Sequence, residues 1–163
     1  MEGNAGWADF LVAAAGATGA LAGLVFVALS INLAKILELP GVAGRAGETI
    51  VLLASGLVGS LTVLIPRETN SQLGLWLLLL WIPTWLLPTG VQIRDFRHRR
   101  YYRAHHAVVR FVLFQAATLP LLVAALSLEA SLTGGLQWFA LSLILSLMLA
   151  IFNAWVLLVE IVR

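Results

Sequence analysis

The sequence predicts an all-α integral membrane protein, a five-helix transmembrane bundle with its N-terminus outside and its C-terminus cytoplasmic. Three observations carry that prediction. Of 163 residues, 61% are hydrophobic and 11% charged, far from soluble averages, and surface-to-volume scaling would leave much of that apolar surface in water were the domain soluble. Five apolar stretches approach or exceed the about 20 residues that a spanning helix needs. The basic residues gather between particular stretches instead of spreading along the chain.

The predicted spans are Phe10 to Leu37, Thr49 to Ile65, Leu73 to Ile93, Ala107 to Leu128 and Leu136 to Val159, forming one transmembrane domain over residues 1–163. The first follows acidic Glu2 and Asp9 and is too long for a signal peptide, so a retained helix is expected. The second is the shortest, bounded by Glu48 and by Pro66-Arg67-Glu68, which keeps a re-entrant or tilted alternative open. Pro83 and Pro88 interrupt the third and Pro120 the fourth; each removes a backbone donor and favours a kink.

Lys and Arg stay preferentially on the cytoplasmic side. Five spans with the N-terminus outside put Lys35, Arg45, Arg94, Arg97, Arg99, Arg100, Arg103, Arg110 and Arg163 inside and leave Arg67 outside. A four-span arrangement would move Lys35 and Arg45 outside as well, so five spans are favoured. Trp7, Trp76 and Trp138 then fall at outer helix ends, where indole rings favour the headgroup region, and Trp155 towards the inner face.

The first helix is crowded with small residues, and Gly19 and Gly23 form a GxxxG pair extended one turn earlier by Ala15. Lipid supplies little hydrophobic drive between helices, so small side chains that admit close backbone approach become a main route to association. The second span answers with Ser55, Gly56, Gly59 and Ser60, spaced so that 55/59 and 56/60 share a side. Tight packing of the first two spans is expected within a monomer, with packing between subunits as the alternative. Ser142, Ser146, Asn153 and Glu160 make a polar stripe on one face of the fifth span. An unpaired polar group in hydrocarbon is costly, so the stripe faces protein, as inter-helix hydrogen bonds, or water, as a polar path.

Lys35, Glu48, Arg110 and Glu160 form an expected charged cluster at the inner boundary, through pairs such as Arg110 with Glu160 or Lys35 with Glu48. Snorkelling into the interface is the plainer account of Arg110. No acidic residue is expected at mid-bilayer depth, which argues against a proton relay. The loop Arg94 to His106 reads RDFRHRRYYRAHH. Between two spans its Arg94, Arg97, Arg99, Arg100 and Arg103 are read as the topology signal and as a binding surface for anionic lipid headgroups, worth about 1 kcal/mol per basic residue near the surface. Nucleic acid is not the expected partner. His105 and His106 are adjacent, about 100° apart on a helix, and make poor joint ligands for one metal. Trp81 and Trp85, one turn apart around Pro83, are read as core.

The chain has no Cys, which removes disulfides, thiolate nucleophiles and Cys-ligated metals. It also has no H-E-x-x-H, Walker loop, dinucleotide fingerprint or G-x-S-x-G elbow. No enzyme, metal or cofactor is expected, and no internal repeat points to an inverted-repeat transporter.

The stretch GATGALAGLVFVALSIN, Gly16 to Asn32, following Asp9-Phe10, resembles the first helix of an uncharacterised family of small bacterial multi-span membrane proteins. Some members carry the label modulator of a membrane-bound AAA protease. The resemblance covers roughly the first third of the chain, implies a bacterial inner-membrane setting and a protein partner, and supplies no catalytic residue. The expectation is a non-enzymatic protein that acts through helix packing with itself or a membrane protein partner. The alternative is an oligomeric channel or small transporter with its path along the fifth span.

Overall fold

A computed structural model describes residues 2–39, 41–66, 69–98 and 104–162, and their side chains except at 2–5, 96–98, 104–106 and 160–162. Six helices and no strand are found among the described residues: α1 Glu2–Ile31, α2 Leu33–Glu38, α3 Val42–Leu64, α4 Asn70–His98, α5 Ala104–Glu129 and α6 Gly135–Val162. All but α2 are long and apolar enough to cross a membrane.

The predicted first span, 10–37, is two helices. Asn32 leaves helical geometry (φ −105°, ψ 14°), and its Nδ2 donates to the Ala28 carbonyl at 2.9 Å. A short amide that competes for backbone partners breaks a helix in this way. α2 then packs Ile36 against Val42, Ala46 and Leu157, closing one end of the molecule. The chain enters α3 through Gly41 at φ 84°, a left-handed conformation that glycine adopts without a Cβ clash.

The predicted second span started at Thr49, but α3 starts about two turns earlier, at Val42, and runs for 23 residues. At that length it is long and apolar enough to cross a membrane without a re-entrant turn. The shift has a local cause: Glu48, taken from sequence as a boundary charge, is 1% exposed inside the helix. α4 continues through Pro83 and Pro88, and α5 through Pro120. Trp81 and Trp85 stack at 5.4 Å and are half-buried between α4 and α5. Trp81 Nε1 donates to the Thr118 carbonyl at 3.1 Å, which ties its indole to the helix opposite.

α3 packs against α1, α4 and α6, while α5 packs against α4 and α6. Helices α3 to α6 therefore close a ring, and α1 lies outside it on the flank of α3. The burial of the spans follows this plan: 44% of the most apolar window of α3 is buried, against 17% for α1. One core layer joins Leu11, Leu77, Leu121 and Phe139, and a second joins Leu52, Leu53, Phe114 and Leu149.

Small residues set the closest approaches. A Cβ on Gly74 would meet the Glu129 backbone nitrogen and lie 2.7 Å from the Ala125 carbonyl, so α4 and α5 touch backbone to backbone. A Cβ on Gly59 would come 2.9 Å from the Phe139 ring, and one on Gly56 would come 3.0 Å from the Thr18 methyl.

Candidate functional site

The polar centre of the molecule is built on Glu48. On α3, Glu48 shares a face with Leu52, Ser55 and Gly59, at steps of four, three and four, and that face turns into the ring. Its Cα lies about 9 Å along the axis from that of Val42, the first residue of α3. Oε2 accepts from Gln92 Nε2 on α4 at 2.8 Å and from Arg110 Nε on α5 at 2.8 Å. Oε1 accepts from Asn153 Nδ2 on α6 at 3.1 Å. Arg110 Nη2 also lies 2.7 Å from Oε2, and the side chains of Arg110 and Glu48 are 14% and 0% exposed.

The other three helices of the ring thus each send one side chain to the carboxylate of α3, and all three partners are donors. Such an arrangement satisfies an ionised carboxylate, and the guanidinium balances its charge in a low-dielectric setting. Chemically the centre is a staple: it holds four helices in register by charge-assisted hydrogen bonds.

A second polar layer lies one to two turns away towards the middle of the bundle. Trp85 Nε1 donates to Gln115 Oε1 at 2.7 Å, and Gln115 Nε2 reaches Thr89 Oγ1 at 3.5 Å. Ser142 Oγ donates to the Ala117 carbonyl at 2.7 Å, linking α6 to α5.

Of the expected charged cluster, the structure joins Glu48 and Arg110. Arg110 turns inward to that carboxylate instead of snorkelling, because a buried anion without a counter-charge would cost more than reorienting one long side chain. Glu48, expected as a charge at the end of a span, is 1% exposed inside α3, beyond the first turn of that helix. Lys35 is exposed on α2, and the side chain of Glu160 lies outside the described residues.

Of the polar stripe on α6, Ser142, Ser146 and Asn153 are all buried within the bundle. An apolar groove of about 370 Å³ runs between α1 and α6, lined by residues such as Leu24, Ala28 and Ile151 and by none of the stripe.

The helix-packing residues divide. Ser55, Gly56, Gly59 and Ser60 are buried, while Ala15 and Gly19 are half-buried. Gly56 receives Thr18, Gly59 receives Phe139 of α6, and Gly19 meets Leu57 at 3.8 Å. Gly23 is exposed with nothing within 4 Å of a Cβ, so the GxxxG pair does not as a whole face α3. α1 approaches α3 through Thr18, a packing residue that its hydroxyl disguises in the sequence. That hydroxyl is spent within α1 on the Ala14 carbonyl at 2.7 Å.

In the basic loop, Arg94 is exposed, the side chain of Arg97 is undescribed, and Arg99, Arg100 and Arg103 lie outside the described residues, as do the side chains of His105 and His106. No group of three or more His, Asp or Glu able to hold a metal comes together among the described residues. Gln92, Gln115 and Thr89 were missed. The signal was available: uncharged amides inside an apolar span, with Thr89 and Gln92 one turn apart. Comparison of the chain with protein-family models, curated proteins and solved structures finds no match.

Proposed function

We propose that this is a non-enzymatic membrane protein that works by helix contact, the outer face of α1 being the surface it offers to a second copy or to another membrane protein. The observation that carries the reading is the position and composition of α1. It lies outside the ring, and its exposed residues include Ala13, Gly16, Ala17, Ala20 and Gly23. Among the described residues nothing lies within 4 Å of a Cβ at Gly16 or Gly23. A helix face that only meets lipid has no use for closely spaced small residues, whereas a face that meets another helix does.

With this goes the orientation drawn from the Lys and Arg distribution: N-terminus outside, loop 94–106 and C-terminus in the cytoplasm of a bacterial-type inner membrane, with the loop against anionic headgroups. The alternative, a channel or transporter path along α6, draws no support from the geometry, since Ser142 and Asn153 spend their polar groups on Ala117 and Glu48.

The test uses the absence of native Cys. Cys introduced at Ala17 or Ala20 should crosslink to a second copy or a partner in native membranes, and the added pair Gly16→Leu and Gly23→Leu should abolish the crosslink without lowering thermal stability. A strictly monomeric species with no crosslinked protein at either position would overturn the reading.

A further inference from the structure

α1 and α6 both pack against α3 but not closely against each other, and the groove between them opens where they diverge. Its walls run from Leu21 to Asn32 on α1 and from Ala150 to Leu158 on α6, and Leu53 of α3, 1% exposed, forms its floor. Ala28, Ala150 and Ala154 leave the space because their side chains are too short to fill it, while Leu24, Ile151 and Leu158 stand up as exposed rims. Among the described residues that line the groove, Asn32 alone carries a polar side chain.

The dimensions select the occupant. At about 1.5 Å per residue the walls extend about 12–16 Å along the bundle, close to the hydrocarbon depth of one leaflet, half of about 30 Å. A volume of about 370 Å³ over that length leaves a channel roughly 5–6 Å across. One row of carbon atoms at their packing distance of about 4 Å fits that width, whereas a helix, about 10 Å across with its side chains, does not. Water gains nothing there, because an apolar cavity stays dry, and an empty groove would forgo dispersion contact along both walls.

The groove has one polar end. It stops at Asn32, where α1 breaks, and α2 closes over it by packing Ile36 against Leu157. The Asn32 amide gives one N–H to the Ala28 carbonyl and has a second to offer. Lys35 follows one turn later and is exposed, and Glu38, exposed one turn beyond, balances its charge. This end therefore suits a phosphate without favouring a headgroup of net negative charge.

We propose that the groove binds one acyl chain of a glycerophospholipid, with the lipid phosphate at the level of Asn32 and Lys35, so that a lipid completes the packing between α1 and α6. The inference stands apart from the association reading, which concerns the small-residue face between Ala13 and Gly23.

The test is photolabelling in liposomes of phosphatidylethanolamine and phosphatidylglycerol that carry a trace of phosphatidylethanolamine with a diazirine on one acyl chain, the adducts being mapped by peptide mass spectrometry. Adducts should be several-fold denser at Leu24, Ala28 and Ile151 than at Val112 and Leu119, which are exposed on α5 and line no groove. Ala154→Phe, which fills the groove from α6, should bring Leu24 and Ala28 down to the α5 density; Ala28→Phe, at an exposed position on the opposite wall, should do the same at Ile151, both with helix content and melting temperature unchanged. Equal density at the groove and on α5, or a groove density that neither variant lowers, would overturn the proposal. Disulfide crosslinking of two copies through Cys at Ala28 or Ile151 would put a helix where the chain is placed and would also overturn it. Diacylglycerol carrying the same diazirine should label the groove several-fold less; equal labelling would overturn the phosphate contact at Lys35.

Discussion

Removing one half of the Glu48–Arg110 pair should harm the protein unequally, depending on which half is removed. Arg110→Leu leaves the Glu48 carboxylate at 0% exposure, with the amides of Gln92 and Asn153 but no counter-charge. Loss of one partner of a buried pair costs about 3–5 kcal/mol, because the survivor is an uncompensated charge in low dielectric. Glu48→Leu leaves the guanidinium, whose side chain is 14% exposed and only two turns from the start of α5, so it can extend towards the loop end. That variant should lose the Gln92 and Asn153 hydrogen bonds, about 0.6 kcal/mol each within a membrane. In the double variant no charge remains, so it should be more stable than Arg110→Leu alone and should resemble Glu48→Leu. The assay is a double-mutant cycle on unfolding in mixed micelles, followed by far-UV circular dichroism and referenced to helix content before denaturation. The reasoning is refuted if Arg110→Leu lies within about 1 kcal/mol of the parent, or if the double variant falls by the sum of the singles.

The glycines should rank by what their added carbon meets: Gly74→Ala, which strikes the backbone of α5, should destabilise most, Gly59→Ala by about 1–3 kcal/mol against Phe139, and Gly23→Ala not at all, as read from melting temperatures in detergent. Ser142→Ala removes one inter-helix hydrogen bond and should cost about 0.6 kcal/mol, the usual size within membranes. The proposed orientation predicts that a membrane-impermeant thiol reagent on intact cells labels Cys placed at Ser71 or Ser131 and spares Cys at Arg99 or Ala43. Labelling at 43 but not 71, with 99 still protected, would mean that α3 fails to cross.

Asp95→Asn should leave bundle stability near that of the parent, because this half-exposed side chain is not a partner of the Glu48 carboxylate, whereas Asn153→Leu removes a direct donor and should lower it measurably in the same unfolding assay.

The membrane class and the number of spans were legible because they depend on sums: apolar length against bilayer thickness and total charge between segments, neither of which needs a neighbour to be known. The packing role of Trp81 and Trp85 was legible for a similar reason, since an indole has one economical use at that depth, whereas of the glycines expected to answer the first helix Gly56 meets Thr18 and Gly59 meets Phe139 of α6. Boundaries were less so. The break at Asn32 depends on a side chain choosing a backbone partner, and the early start of α3 depends on Glu48 being tolerable inside a span.

That tolerance is what only the tertiary structure decided. Glu48 and Arg110 are far apart in sequence, as are Gln92 and Asn153, and nothing local marks them as partners. A carboxylate next to a predicted span reads as a boundary because the isolated helix would have to bury its charge alone. Once α4, α5 and α6 close the ring, three donors meet it at hydrogen-bond distance and the same residue becomes the interior staple. Placement of α1 outside that ring was equally hidden, because small residues mark a helix as able to pack closely without saying which helix it meets, and here the Thr18 face took α3 and left Gly16 and Gly23 facing out.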